Sequence, residues 1–214
     1  MTRIWVVRHG QSMLNAAERM QGWSDAPLTP LGRDQATARG TDFAAAGIRF
    51  DAAFSGDGLR HRETAAGLLR AAGSDLVADA DARWREISFG ALEGASARRF
   101  FRLLEAHRSA ENPLVAALDD LAAHDPLAES PGAVAERALD ALHEASGAGS
   151  EVLVVTSGIT IMSLARRLGA DLSHLTTGPA NLSVTTVQRV DDGWRVDRIA
   201  SPAPVASAPD APSR

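Results

Sequence analysis

His9 stands between an arginine and a glycine, directly after the apolar run Arg3–Arg8 (R-I-W-V-V-R). A neutral imidazole there can attack phosphorus and carry the phosphoryl group as a phosphohistidine, splitting one hard transfer into two easier steps. Neighbouring arginine charge lowers the pKa of such a ring and keeps it neutral near pH 7. Arg8 is one such charge, and Arg60, shortly after a second strand-like run, is another. Their guanidinium forks suit phosphate oxygens. Phosphoryl transfer depends mostly on positioning and charge neutralisation, so one histidine and two arginines form a minimal site. Other polar residues follow strand-like runs: Gln11, Ser12 and Asn15 after the first, Ser55 after the second, Ser157 and Gly158 after 152–156.

These residues converge only if the strands that carry them lie side by side. Residues 3–8, 51–55 and 152–156 are short apolar, β-branched runs that read as buried strands. Between them the pattern turns helical. Thr29-Pro30 caps a helix over 31–46, Leu59–Ala71 forms a second, and 160–168 forms a third closed by Gly169. Residues 182–190 and 194–199 read as a hairpin turning at Asp191-Asp192-Gly193. Alternating strands and helices predict an α/β layered domain with a mostly parallel sheet, whose ligands sit beyond the strands' carboxyl ends. Residues 94–131 are wholly helical apart from Pro113 and Pro126, and read as a small helical lid inserted over the sheet edge. Residues 1–200 then make one domain, and the Pro- and Ala-rich 201–214 a disordered tail.

Composition removes several alternatives. The 214 residues include no cysteine, which excludes disulfides, thiolate metal sites and cysteine nucleophiles. All 22 basic residues are arginine, which excludes Schiff-base lysines and a P-loop lysine. A net charge of −5 without a basic stripe argues against a nucleic-acid partner. No uncharged apolar stretch approaches membrane-spanning length, and a strand begins within two residues of the start. A cytoplasmic address is the expectation.

The motifs then resemble those of the histidine phosphatase superfamily, in the branch that includes the cofactor-dependent phosphoglycerate mutases. Residues 7–15 (V-R-H-G-Q-S-M-L-N) look like its signature, and 21–32 (Q-G-W-S-D-A-P-L-T-P-L-G) are similar to the segment that follows it. Residues 55–64 (S-G-D-G-L-R-H-R-E-T) resemble its serine-to-arginine stretch, and 84–94 (W-R-E-I-S-F-G-A-L-E-G) its acidic motif. Glu129-Ser130 resembles the last two residues of its Gly-Glu-Ser, and 181–185 fit its late strand entry. The matches run in family order along nearly the whole chain.

The resemblance implies a three-layer α/β/α sandwich that needs no metal or other cofactor. It makes His9 the nucleophile, Arg8 and Arg60 the grip on the phosphoryl oxygens with Asn15 assisting, and Glu86 the acid that protonates the leaving oxygen and later activates water. Gln21 and Gly22, within the second motif, are possible further contacts. One departure stands out. The family's second histidine, in a motif like V-S-H-G, is replaced in Val155-Thr156-Ser157-Gly158 by Ser157. A serine hydroxyl and the amides at Gly158 can still donate to phosphate, but losing one preorganised donor typically costs roughly 10²–10³ in rate. His61 stands where the family commonly has a small residue; it reads either as a surface residue of its helix or as a possible donor that reaches the phosphate from the other side in compensation.

The expected function is therefore hydrolysis of a small phosphomonoester, with phosphate or sulfate able to occupy the pocket. The 94–131 insertion is short for a mutase, which favours hydrolysis over transfer to a second substrate. A mutase-type phosphotransferase, or a catalytically weak phosphate binder, are the competing readings. Arg98, Arg99, Arg102 and Arg108 in the insertion fit an anionic substrate. Substrate identity and oligomeric state are not legible in the chain.

Overall fold

The computed structural model describes residues 2–172, 175, 178–191 and 193–202. Its strands are β1 (Arg3–Arg8), β2 (Ala52–Ser55), β3 (Asp79–Ala80), β4 (Glu151–Thr156), β5 (Val184–Val190) and β6 (Gly193–Ser201). Its helices are α1 (Met13–Ala16), α2 (Pro30–Ala45), α3 (Leu59–Ala71), α4 (Ala97–Ala106), α5 (Pro113–His124), α6 (Pro131–Ala145) and α7 (Gly158–Arg167). The strands form one sheet in the order β3-β2-β4-β1-β5-β6. The pairs β3/β2, β2/β4 and β4/β1 are parallel, while β5 and β6 add antiparallel at the β1 side.

Period-2 alternation assigns each strand residue to a face. Trp5, Val7, Leu153 and Val155 pack with Phe43 of α2 and Leu68 and Leu69 of α3. Ile4, Val6, Val152 and Val154 pack on the other face with Ala138 and Leu142 of α6 and Ile161 and Leu164 of α7. Helices cover both faces, which is why the central strands read as continuous apolar runs. The fold is the three-layer α/β/α arrangement expected, with a mixed, mostly parallel sheet.

Register aligns the functional ends. Arg8 pairs with Thr156, and Ser55 with Val155, so β1, β4 and β2 stop at one level. Their outgoing loops begin at His9, Ser157 and Gly56. Helix α2 starts as its sequence predicts: Thr29 Oγ1 accepts from Gly32 N at 3.0 Å, with Pro30 at the first helical position. Helix α7 begins two residues earlier than the pattern suggested, at Gly158, and closes at Gly169 with φ +79°.

Two details differ from the sequence reading, the seat of the insertion and the end of β6. Helix α6 begins at Pro131, where the insertion was expected to end, and belongs to the sandwich. The insertion, α4 and α5, gathers its apolar side chains with Met20, Ile87, Phe89 and Val134, a cluster that contains no strand residue. It therefore rests on the loops around Met20 and Ile87 rather than on the sheet edge. Strand β6 runs to Ser201, which pairs with Val184, and Pro202 O accepts from Arg39 Nη2 at 3.3 Å. Those two residues belong to the fold rather than to a tail; residues 203–214 lie outside the described residues.

Candidate active site

Short polar ties lock the loop after β1 in place. His9 N donates to Thr156 O at 2.9 Å, and Asn181 Nδ2 donates to His9 O at 2.8 Å. Gly10 N donates to Thr64 Oγ1 at 3.0 Å, and that hydroxyl donates to Arg60 O at 2.6 Å. One side chain of α3 thus joins the His9 loop to the helical turn that carries Arg60. Gly10 admits no larger residue, because a Cβ there would lie 2.5 Å from Gly32 O.

His9 is 3 % exposed. Its Nδ1 lies 2.7 Å from Gly10 O, and a carbonyl can only accept, so Nδ1 carries the proton and Nε2 the lone pair. Burial first, then the charges of Arg60 and Arg8, hold its pKa well below the usual histidine value. A neutral ring with Nε2 unprotonated is the form that attacks phosphorus.

The two arginines are anchored at their tips. Arg8 donates through Nη1 to Pro179 O; Arg60 donates through Nη2 to Gly22 O at 2.7 Å and through Nη1 to Ser24 O at 3.2 Å. Burial lowers the pKa of each, and the nearby Glu86 charge works in the opposite direction. Among the described residues, Arg8 Nε, Arg60 Nε and Gln21 Nε2 have no acceptor. An unpaired buried donor costs roughly 1–3 kcal/mol, and more when charged. The two guanidinium donors among them suit the oxygens of an anion.

The remaining predicted residues divide by what they touch. Asn15 forms a capping box with Ser12, whose N donates to Asn15 Oδ1 at 3.3 Å. Gln21 Oε1 accepts from Ser12 Oγ. Gly22 fits where a Cβ would lie 2.1 Å from Ile87 O. Glu86 faces the start of α7: its Oε1 accepts from Ile87 N, Thr160 N and Thr160 Oγ1, and its Oε2 from Ile159 N at 3.1 Å. It therefore caps α7 as well as acting on the charges of Arg8 and Arg60. Ser157 and Gly158 open that helix, yet Ser157 makes no capping bond of its own. His61, 1 % exposed, brings Nε2 to 2.7 Å from Ser157 Oγ, and its ring meets His9 edge-on at 5.3 Å.

A cavity of about 200 Å³ opens beside these groups, lined by Gly22, Trp23, Asp57, Arg60, His61 and Arg85 among others. Trp23 is half exposed at this mouth, with the Arg85 guanidinium 4.8 Å above its ring and its Nε1 on Glu86 O at 3.1 Å. Asp57 holds Arg85 through both oxygens, at 2.7 and 2.6 Å. A larger groove, about 630 Å³, lies between α3 and residues 74–80 and contains none of the residues singled out for chemistry. Arg98, Arg99, Arg102 and Arg108 are exposed on the insertion, with Arg108 paired to Glu105 at 2.8 Å.

Two residues that build the site had no individual signal. Glu93 accepts from Gly22 N, Trp23 N, Ser24 N and Phe89 N, at 2.9 to 3.2 Å, and so shapes the loop whose carbonyls hold Arg60. Arg137 of α6 donates to Arg83 O, Arg85 O and Glu86 O and pairs with Glu129 at 2.9 Å, which clamps the strand of chain bearing Glu86. Glu93 stands inside the acidic motif, where Glu86 drew attention first. Arg137 looks like any helix arginine until the fold brings it to three carbonyls. Among the described residues, no cluster of His, Asp or Glu is arranged to hold a metal ion, and no helix is long and apolar enough to cross a membrane.

Comparison with known proteins identifies the family. The model of the histidine phosphatase superfamily (branch 1) matches residues 4–202. The probable phosphoglycerate mutase GpmB of Escherichia coli O1:K1 is 34 % identical over 163 residues, spanning 75 % of this chain and 72 % of its own. The crystal structure of phosphoglycerate mutase from Bacillus anthracis superposes with a TM-score of 0.82 at 29 % identity, over 94 % of this chain and 93 % of that one. A mycobacterial glucosyl-3-phosphoglycerate phosphatase, solved with VO3, gives 0.73 at 25 % identity, over 94 % and 100 % of the two chains. This chain belongs to the histidine phosphatase superfamily, branch 1.

Proposed function

We propose that the protein hydrolyses a small phosphomonoester through a phosphohistidine on His9. The observation that carries this reading is the state of His9: Nδ1 donates to Gly10 O, leaving Nε2 unprotonated beside two arginines with unpaired Nε donors. In the first step Nε2 attacks phosphorus while the bond to the leaving oxygen breaks. Arg8 and Arg60 neutralise charge on the phosphoryl oxygens, where preorganised donors contribute most. Glu86 delivers a proton to the departing alcohol. Its Oε2, with one backbone donor against two at Oε1, has the room to carry it. In the second step water attacks the phosphohistidine, Glu86 takes the water's proton, and phosphate leaves with His9 restored.

The short insertion, α4 and α5, favours hydrolysis over transfer to a second substrate. A mutase-type transfer is the second reading, favoured by the names that the E. coli and Bacillus relatives carry.

Phosphate release from an aryl phosphate, measured for the parent and for His9→Ala, tests the proposal. Release by the parent that vanishes in the variant is the expected result. Release that persists in His9→Ala would exclude a phosphohistidine. Phosphate binding without release, or transfer to an added acceptor alcohol in place of water, would favour the binding or mutase readings.

A further inference from the structure

The His61–Ser157 contact joins residues 96 positions apart at the mouth of the site, and it is built from both sides. Ser157 holds the position before the first turn of α7, where a serine oxygen normally accepts from the second or third amide of its helix. Those amides, Ile159 N and Thr160 N, are both taken by Glu86. The Ser157 hydroxyl is thereby released from capping, and its hydrogen bond goes to His61 Nε2. On the other side, the His61 ring fits because Gly56 lacks a side chain: a Cβ there would lie 2.5 Å from His61 Nδ1.

Counting hydrogens shows what the pair lacks. Burial first, with the charge of Arg60 behind it, holds the His61 pKa well below the usual value, so the ring is neutral and carries one N–H. Ser157 carries one O–H. One of these two hydrogens makes the bond between them, and the other has no acceptor: His61 Nδ1 is without a partner among the described residues, and the Ser157 hydroxyl bonds His61 alone. A surplus buried hydrogen of this kind calls for an acceptor arriving with the ligand.

We propose that Ser157 and His61 act as one donor unit: His61 Nε2–H donates to Ser157 Oγ, and the Ser157 O–H is thereby aimed at a phosphoryl oxygen on His9. Ser157 is placed for this, because its neighbour Thr156 pairs with Arg8 and accepts from His9 N. His61 is then a positioning residue, and the unit supplies a neutral dipole while Arg8 and Arg60 supply the charge. The inference rests on the proposed binding of a phosphoryl group at His9.

The test measures inorganic phosphate affinity by calorimetry and aryl phosphate turnover for the parent, Ser157→Ala, His61→Ala and the double variant. Because both sites are buried, unfolding midpoints are recorded in parallel, and His61→Gln serves as the milder change that keeps an N–H of similar reach. Ser157→Ala is expected to lower kcat roughly 10²-fold, His61→Ala by a similar or smaller factor, and the double variant no further than the worse single. His61→Gln should recover most of the loss. Combining His61→Ala with Ser157→His, which returns a ring donor from the opposite wall, should bring phosphate affinity back to within about tenfold of the parent. Losses that multiply in the double variant, or affinity and kcat unchanged in Ser157→Ala, would overturn the unit. Failure of parental hydrolysis alone would sink the phosphatase reading and leave this one decided by the phosphate affinities; no phosphate binding to the parent would sink both.

Discussion

Glu93 offers a way to loosen the phosphate grip without touching a group that meets phosphate. Its two oxygens receive four backbone donors, Trp23 N and Phe89 N at Oε1, and Gly22 N and Ser24 N at Oε2. The same loop presents Gly22 O and Ser24 O to Arg60. Glu93→Gln keeps the shape but turns one acceptor oxygen into an NH₂ group, which faces two N–H donors that it cannot satisfy. Each orphaned donor costs roughly 1–3 kcal/mol. Partial exposure of this loop lets water satisfy some of them, so a total of about 2 kcal/mol follows. For a chain of this size that lowers Tm by roughly 4–8 °C. Because Arg60 loses its seat, phosphate affinity should fall more than kcat does.

The pH dependence gives the claim a second handle. Burial pushes the Glu93 pKa up, but its donors from Phe89, Ser24 and Trp23 outweigh that and hold it below the usual carboxylate value. A depressed folded pKa stabilises fully above the unfolded value and is lost as pH falls through the folded one. The difference in stability between parent and Glu93→Gln should therefore be largest at neutral pH and shrink below about pH 4. Urea unfolding across pH, with phosphate calorimetry at pH 7, measures both. Equal unfolding midpoints at pH 7, or a gap that widens in acid, would refute the reasoning.

Arg137→Met should detach the chain around Glu86 from α6, since three carbonyls and Glu129 lose their shared donor; a fall in kcat of about tenfold or more with a lowered Tm is expected. An unchanged kcat would show that Glu86 is held by α7 alone. His9, whose pKa is well below the usual value through burial and the two arginines, should stay nucleophilic as pH falls through the ordinary histidine range near 6.5. After correction for ionisation of the substrate, kcat/KM should therefore show no loss between pH 7 and about pH 6, and a histidine-like decline in that interval would contradict the assigned state.

Much of the scaffold was legible in the chain because it is decided locally. The β-branched runs, the Thr29-Pro30 start and the Gly169 stop act through neighbours a few residues away, and the strands and helices they predict are present. Arg8, His9 and Arg60 were legible because Arg8 ends β1, His9 follows it and Arg60 sits in the first turn of the helix after β2, and the carboxyl ends of adjacent parallel strands meet. The insertion was harder: its pattern showed helices but not that they would lie on Met20, Ile87 and Phe89. The end of β6 was obscured because Ser201 joins a low-complexity run, while its pairing to Val184 is a long-range contact.

By itself, then, the sequence determined a layered α/β domain with a histidine and an arginine at one strand end and a second arginine on the helix after another. Only the tertiary structure decided how the supporting groups divide their hydrogen bonds. Glu86 caps a helix that begins more than 70 residues later, Arg137 reaches back over 50, and Ser157, freed from capping, turns to His61 across 96. The physical reason is that a hydrogen bond is directional and short, whereas residue type and spacing report only which groups are available to make it.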